Sequence, residues 1–212
     1  MYSVIIPTLW KCDRLEETLI ELNNNPIIGE IILIDNSGVK HDLPNLEKLN
    51  YILEEENTFV NPAWNKGVSL SKYDKILVLN DDTWFDWGVM TPLSKFVTEE
   101  YACIGMCEAN YTIEDKQTDL QLIPIDHRVG GFGTAFFIHK SNWIPIPDTM
   151  KIYCGDDWLF VKNRNLGKQN LMISNFKVNG YISATTTELS KNEEIEAILK
   201  RDLELKEIYR LF

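Results

Sequence analysis

Two pairs of adjacent carboxylates have the residue types and positions that could do chemistry. Asp81 and Asp82 follow the apolar run 76–79 after Asn80, and Asp156 and Asp157 lie where a helix is predicted to begin. Carboxylates at the exit of a strand could hold a hard divalent cation against a phosphate. The same residues also suit an acidic turn, and acids in a first helical turn are favoured by the helix dipole. Taken alone, each pair leaves both interpretations open.

The segments that precede these acids indicate alternating strands and helices. Apolar runs at 2–6, 30–34 and 76–79 have the length and composition of buried strands. Asp13, with Glu16 three residues later, predicts a helix between the first two runs. A strand, a helix and a strand within about 30 residues imply a right-handed crossover between parallel strands. The first hundred residues therefore predict an α/β fold.

Polar residues end each of these apolar runs. Pro7 and Thr8 close the first, Asp35 closes the second, and Asn80 to Asp82 closes the third. Parallel strands end at the same edge of a sheet, where α/β proteins bind their ligands. We therefore expect these residues to lie close together.

The second half of the chain indicates strands of mixed direction. Short strands are expected near 102–106, 120–125 and 134–138. The glycine-rich segment 129–133 precedes the last of them. Its glycines would let a ligand approach the backbone, and a simple bulge is the alternative.

Capping residues predict the starts of two further helices. Asn61 is expected to be the N-cap of one, with Pro62 as its first residue. Ser190, with Glu193 three residues later, predicts a capping box for the last helix. That helix carries isoleucine and leucine at helical spacing, so one broadly apolar side is expected.

The composition and charge of the chain limit the kinds of molecule that it is expected to bind. The chain of 212 residues has a formal net charge of -11, which argues against nucleic acid or an anionic membrane surface. No segment has the length of a membrane span, and the first residues lack the basic region of a signal peptide. A cytoplasmic location is therefore expected. The four cysteines match no zinc-binding spacing and are expected to be reduced thiols.

Taken in order, these motifs resemble the GT-A fold of nucleotide-sugar-dependent glycosyltransferases, above all the inverting family 2. The resemblance spans most of residues 2–167, and Asn80, Asp81 and Asp82 fall at the family's Asp-x-Asp (DXD) position. The other matching segments are 3–8, 34–37, 61–67 and 156–157. The first acid of the Asp-x-Asp triplet is Asn80 here, which shifts the weight of metal binding to Asp82. The fold implied is a mixed, Rossmann-like sheet, mostly parallel in its N-terminal half and flanked by helices.

The resemblance implies a role for each acid. Asp82 would bind Mn²⁺ or Mg²⁺, and Asp157 would be the general base that takes the proton from an acceptor hydroxyl. Asp81 would lie near the ribose or the sugar, and Asp156 would contact sugar hydroxyls. Further substrate-binding residues are expected at Pro7, Thr8, Asp35, Asn65, Gly131 and Trp158, the last through stacking of its ring on a sugar.

The reaction implied is transfer of a hexose or deoxyhexose from a nucleoside diphosphate sugar, with UDP as the expected nucleotide. The acceptor would be a hydroxyl of a glycan or glycoprotein, and in-line attack would invert the anomeric carbon. Two other interpretations stay open. One is a sugar nucleotidyltransferase. Such enzymes resemble a pattern with a glycine-rich loop after the first strand that binds the triphosphate, and segment 7–11 has no glycine, which argues against this interpretation. The other is a carbohydrate-binding or nucleotide-sugar-binding module without catalytic activity.

A single GT-A domain is expected for residues 1–212. Its nucleotide-sugar half would be residues 1–100 and its acceptor-binding and catalytic half residues 101–187, with a C-terminal helix in 188–212 that could lead into a further domain. The sequence also resembles glycosyltransferase domains that large algal viruses encode to modify capsid protein. That resemblance implies a viral origin and a location in the host cytoplasm.

Overall fold

The computed structural model describes residues 1–114, 120–180 and 192–212. Its helices are α1 (Leu15–Asn24), α2 (Val60–Leu70), α3 (Met90–Leu93), α4 (Gly155–Asn165) and α5 (Glu193–Ile208). Its strands are β1 (Tyr2–Thr8), β2 (Ile28–Asp35), β3 (Leu49–Leu53), β4 (Lys75–Leu79), β5 (Thr83–Phe85), β6 (Tyr101–Gly105), β7 (Gln121–Ile125), β8 (Ala135–His139), β9 (Gln169–Ser174) and β10 (Val178–Gly180).

Within the described residues, these strands form one large mixed sheet and one short ribbon. The order across the large sheet is β3-β2-β1-β4-β8-β6-β9-β7. β1 runs parallel to β2 and β4, and β2 runs parallel to β3, which confirms the predicted parallel N-terminal half. β8 runs antiparallel to β4 and β6, and β7 antiparallel to β9, which confirms the mixed directions that follow. β5 and β10 form the antiparallel ribbon.

Both faces of the sheet are buried, which explains the unbroken apolar runs. In β1, Val4 and Ile6 belong to one apolar cluster and Ile5 to the other. Leucines of α1 pack in the first cluster, and α2 and α4 contribute Trp64 and Phe160 to the second. A strand between two layers of helices needs an apolar residue at every position, so it shows no alternation.

The start of α2 differs from the prediction at Asn61. The helix begins at Val60, and its N-cap is Phe59, which has a φ of 67°. Asn61 is fully buried, and its Nδ2 donates a hydrogen bond to the carbonyl of Tyr153 at 3.0 Å. The prediction of Asn61 as a cap was wrong because its amide serves a contact between distant parts of the chain.

The start of α5 also differs from the prediction. Asn192 is the N-cap, and its side-chain oxygen accepts a hydrogen bond from the amide of Glu194 at 2.9 Å. The predicted box was therefore misplaced, and Ser190 lies outside the described residues. The expected apolar side of α5 is divided, since Leu203 and Ile208 are exposed.

Two further findings concern the length of the helices and the cysteines. None of the helices in the described ranges has the length and apolar character that crossing a membrane would require. All four cysteines are free thiols, and three of them are buried.

Candidate active site

The carboxyl ends of three neighbouring strands, β2, β1 and β4, form a pocket that we call the strand-end pocket. Its lining includes Pro7, Thr8, Asn36, Asp81 and Asp82. The parallel pairing brings together residues that are far apart in sequence. As a result, Thr8 Oγ1 donates a hydrogen bond to Asp81 Oδ2 at 2.6 Å. The structure therefore places four of the predicted site residues in one pocket.

The two carboxylates of the strand-end pocket share an electrostatically costly position. Burial raises the pKa of Asp82 to about 6, and the charge of Asp81 adds to that rise. Burial also raises the pKa of Asp81, which the hydrogen bond from Thr8 opposes. Adjacent desolvated carboxylates disfavour one another's charged form, and a bound cation reverses that penalty.

The strand-end pocket has the donor chemistry that Mg²⁺ and Mn²⁺ prefer. Asp81, Asp82 and Asn80 line it with carboxylate and amide oxygens, so these residues fit such an ion. Within the described residues, no three His, Cys, Asp or Glu side chains lie close enough to hold a metal by themselves. An ion at Asp82 would therefore take its remaining ligands from water or phosphate, which is usual for Mg²⁺.

A second pocket adjoins the first, and we call it the α4 pocket because Asp156 and Asp157 lie in the first turn of α4. It shares Val60, Asn80 and Ile152 with the strand-end pocket, so the two form one continuous cleft. Its volume of about 400 Å³ lies within the range of about 300–1,000 Å³ that is usual for small-molecule sites. Each carboxylate pair thus occupies its own part of a single cleft.

Asp156 and Asp157 lie between two cationic side chains. Arg128 Nε is 2.6 Å from Asp156 Oδ2 and 3.7 Å from Asp157 Oδ2. Lys206 Nζ, on α5, donates a hydrogen bond to Asp157 Oδ1 at 2.9 Å. Burial and then the charge of Asp156 raise the pKa of Asp157, whereas Arg128 and Lys206 oppose the rise. A carboxyl group whose pKa is raised in a cleft is suited to proton transfer.

Glycines allow the chain before β8 to pass close to the α4 pocket. Gly131 has a φ of 78°, and a Cβ there would lie 2.9 Å from the amide nitrogen of Glu108. A Cβ at Gly133 would lie 2.8 Å from Asp156 Oδ2. A side chain at either position would displace the wall of the pocket or the carboxylate itself. Segment 129–133 therefore passes close to Glu108 and Asp156, and a short 3₁₀ turn at Phe132–Thr134 follows.

Two predicted substrate-binding residues have structural partners instead of lining the cleft. Asp35 is fully buried and accepts a hydrogen bond from the hydroxyl of Tyr51 at 2.8 Å, while the neighbouring Asn36 lines the strand-end pocket. The Nδ2 of Asn65 donates to the carbonyl of Ile146 at 2.7 Å. Asp35 thus links β2 to β3, Asn65 links α2 to residue 146, and neither residue is in the lining of the two pockets.

Trp158 also has structural partners. Its Nε1 donates to the carbonyl of Ile144 at 3.2 Å, and its ring packs edge-on against Tyr209. The structure therefore places Trp158 at the junction between α4 and the C-terminal residues. Arg128, just before the glycine-rich segment, contacts the α4 acids.

Several residues of the cleft were not identified from the sequence. Phe59 and Cys154 line it with φ values of 67° and 64°, a conformation that costs a non-glycine residue about 1–3 kcal/mol. Nothing in the local sequence predicts such a conformation. Ile195 and Leu199 of α5 line the strand-end pocket, and their spacing of four residues was a usable signal for a shared helical face.

Cys154 lines the cleft but does not have the properties of a nucleophile. Burial, followed by the charge of Asp157, raises the pKa of its thiol to about 12. The thiolate is the reactive form of cysteine, so this group is unreactive at neutral pH. The reactive candidates in the α4 pocket are therefore its carboxylates.

Comparison with known proteins supplies a family. Residues 3–163 match the family described as Glycosyl transferase family 2. The match covers three quarters of the chain and includes both carboxylate pairs. No curated protein matches the sequence.

Solved structures share the fold at low sequence identity. S. aureus TarS (residues 1–349) aligns with a TM-score of 0.59 and 13% identity, over 95% of this chain and 70% of that chain. TarS in complex with UDP aligns with a TM-score of 0.58 and 13% identity, over 84% and 59%. GalNAc-T7 with UDP, GalNAc and Mn²⁺ aligns with a TM-score of 0.59 and 13% identity, over 85% and 43%. The chain spans less than two thirds of two of these structures, and the likeness shows the fold alone.

Proposed function

The chain belongs to glycosyl transferase family 2 and has the GT-A fold, and from this premise we propose that it is a metal-dependent, inverting hexosyltransferase. Family membership makes it a glycosyltransferase. The proposal adds that it takes a hexose or deoxyhexose from a UDP-sugar. The acceptor in this proposal is a hydroxyl of a glycan or glycoprotein.

The observation that carries the proposal is the separation of the two carboxylate pairs within one cleft. Asp81 and Asp82 lie at the strand ends, and Asp156 and Asp157 lie at the start of α4. An inverting transfer needs one group at the leaving diphosphate and another at the attacking hydroxyl, on opposite sides of the sugar. A cleft with a carboxylate pair in each of two adjoining pockets meets that need.

The strand-end pocket is assigned to the diphosphate side of the donor. Asp82 would hold Mn²⁺ or Mg²⁺, which as a Lewis acid would stabilise the charge that develops on the leaving diphosphate. Thr8 holds Asp81 by a hydrogen bond, and in this proposal the Asp81 carboxylate would lie near the ribose or the sugar. The similar TarS and GalNAc-T7 structures contain UDP, and the latter contains Mn²⁺, which supports this choice of nucleotide and metal.

The α4 pocket is assigned to the acceptor. Asp157 accepts the proton of the acceptor hydroxyl while that oxygen forms a bond to the anomeric carbon. The bond from that carbon to the diphosphate oxygen breaks on the opposite face, and its electron pair leaves with the diphosphate. Asp156, which Arg128 holds by a hydrogen bond, would contact sugar hydroxyls. General base catalysis of this kind typically contributes a factor of about 10²–10⁴ to the rate.

Binding and turnover of a panel of nucleotide sugars, with Mn²⁺, Mg²⁺ or chelator, test the proposal. We expect Asp82→Ala to lose metal-dependent binding, and Asp157→Asn to keep binding but lose turnover. Asp148→Asn is the matched control, because this exposed acid lies outside both pockets. If no nucleotide sugar binds with any metal, the proposal is wrong and a carbohydrate-binding role replaces it.

A further inference from the structure

Helix α5 follows the region that matches the family, yet it forms part of both pockets. The family match ends at residue 163, and α5 spans Glu193–Ile208. Ile195 and Leu199 line the strand-end pocket, and Leu203 and Lys206 line the α4 pocket. Successive spacings of four, four and three residues place these side chains on one helical face. The face that α5 turns toward the cleft is therefore continuous across it.

Specific polar contacts hold α5 in this position. Asp202 is fully buried, and its carboxylate accepts hydrogen bonds from the backbone amides of Lys151, Ile152 and Tyr153 at 2.9, 2.6 and 2.8 Å. These amides belong to the segment that leads into α4. A buried carboxylate with three amide donors is a strong and directional anchor. The anchor fixes the distance between α5 and the first turn of α4.

The anchored helix brings Lys206 to one oxygen of Asp157. Lys206 Nζ is 2.9 Å from Oδ1, and the lysine side chain is 27% exposed while that of Asp157 is 7% exposed. The other oxygen, Oδ2, lies 3.7 Å from Arg128 Nε, which is beyond hydrogen-bond distance. Oδ1 is thus occupied by the ammonium group, and Oδ2 is the oxygen with capacity to accept a proton.

We propose that Lys206 is a positioning residue for the base: it holds Oδ1 of Asp157 so that Oδ2 faces the acceptor as an ionised oxygen. This inference rests on the proposed function, in which Asp157 takes the acceptor proton. The groups that act on the charge of Asp157 are Asp156, Arg128 and Lys206. Cys154 is a neighbour whose thiol pKa Asp157 raises, and Glu108 lies elsewhere in the pocket lining. Burial and Asp156 favour the protonated form, and the two cations counter them.

The same contact has a different consequence if it acts as a block. An ammonium group on the base could keep an acceptor out, in which case removing it would raise activity. The geometry favours positioning, because Lys206 occupies one oxygen and leaves the other. A third interpretation is that the ion pair is purely structural. In that case, removing Lys206 would change the stability of the protein but not the pKa of Asp157.

Lys206→Met and Lys206→Arg separate these interpretations, with Lys200→Met as a control for loss of one exposed lysine on the same helix. Wild type and variants are compared by the pH dependence of kcat/KM with donor and metal. An opposite charge within about 4–6 Å lowers a carboxyl pKa by about 1–3 units. Lys206→Met should therefore shift the acidic limb of the profile of kcat/KM against pH to higher pH by about that amount. Lys206→Arg should keep the limb near its wild-type position. An unmoved limb, or higher activity at every pH, overturns the proposal.

A titration without donor keeps the test independent of catalysis. The protein is labelled with carboxyl-¹³C aspartate, and the Asp157 signal is assigned by its loss in Asp157→Asn. We expect the pKa of Asp157 to rise in Lys206→Met and to stay near the wild-type value in Lys206→Arg and Lys200→Met. An unchanged pKa in Lys206→Met overturns the role of Lys206, whatever the activity. Retained transfer in Asp157→Asn instead overturns the proposed base.

Discussion

Replacing Asp82 by Asn should make the metal-free protein more stable at neutral pH. Burial and Asp81 raise the pKa of Asp82 to about 6 in the folded protein, against an ordinary value of 3.8. The folded state therefore binds this proton more tightly than the unfolded chain does. The resulting stability is full below about pH 4 and is lost as the pH rises through about 6. Asn has the same shape and no charge, so it avoids the loss.

The size of this effect follows from the same pKa. A difference of about two pKa units corresponds to about 3 kcal/mol, since each unit is worth about 1.4 kcal/mol. Asp82 is partly exposed, and screening by solvent reduces the gain to about 1–2 kcal/mol. A divalent ion at about 100 times its Kd should reverse the order, because it stabilises only the wild type, by about 2.7 kcal/mol.

Denaturant unfolding of wild type and Asp82→Asn at pH 4 and pH 8, with and without Mn²⁺, measures these differences. The two proteins should be close at pH 4 without metal, and the variant should be more stable at pH 8. Mn²⁺ should stabilise the wild type alone. Equal stability at pH 8, or equal stabilisation of both proteins by Mn²⁺, would refute the assignment of a charged metal ligand to Asp82.

Two further substitutions test how the cleft is held. Gly131→Ala should destabilise the protein by about 1–3 kcal/mol and lower donor turnover. Gly167 also has a positive φ but has open space around it, so Gly167→Ala should cost about 1 kcal/mol and leave turnover unchanged. Equal losses of turnover in the two variants would contradict a special role for Gly131. Asp202→Asn should lower the free energy of unfolding by about 1–3 kcal/mol through weaker bonds to three amides, and should speed hydrogen exchange at Lys151 to Tyr153. Unchanged exchange at those amides would show that Asp202 does not anchor α5.

The parts of the fold that were predictable are those that leave a local pattern. Burial on both faces marks β1, β2 and β4 with unbroken apolar runs, and the polar residues after them mark one edge of a parallel sheet. The β5–β10 ribbon has no such pattern. It pairs Phe85 with Val178 across almost a hundred residues, through strands of only three residues. Tertiary pairing alone decides that such short segments are strands.

The same limit applies to the candidate site. The acids were identifiable because their types and order along the chain are local facts. Asp35 was expected to bind substrate, and in the fold it accepts a hydrogen bond from the hydroxyl of Tyr51 on the adjacent strand, a pairing that its local sequence does not show. Lys206 could not be identified as a partner of Asp157, because the two residues are 49 positions apart in sequence and only the docking of α5 brings them together.

The configuration of the first sugar product tests the central claim most directly. Proton NMR of the native protein with an α-linked UDP-sugar and Mn²⁺, recorded before the free sugar equilibrates, identifies the anomer released to water or transferred to an acceptor. The account predicts the β anomer first, since Asp157 activates a hydroxyl that attacks opposite the diphosphate. Release of the α anomer first would contradict it, and so would a donor that is not consumed with any of the metals.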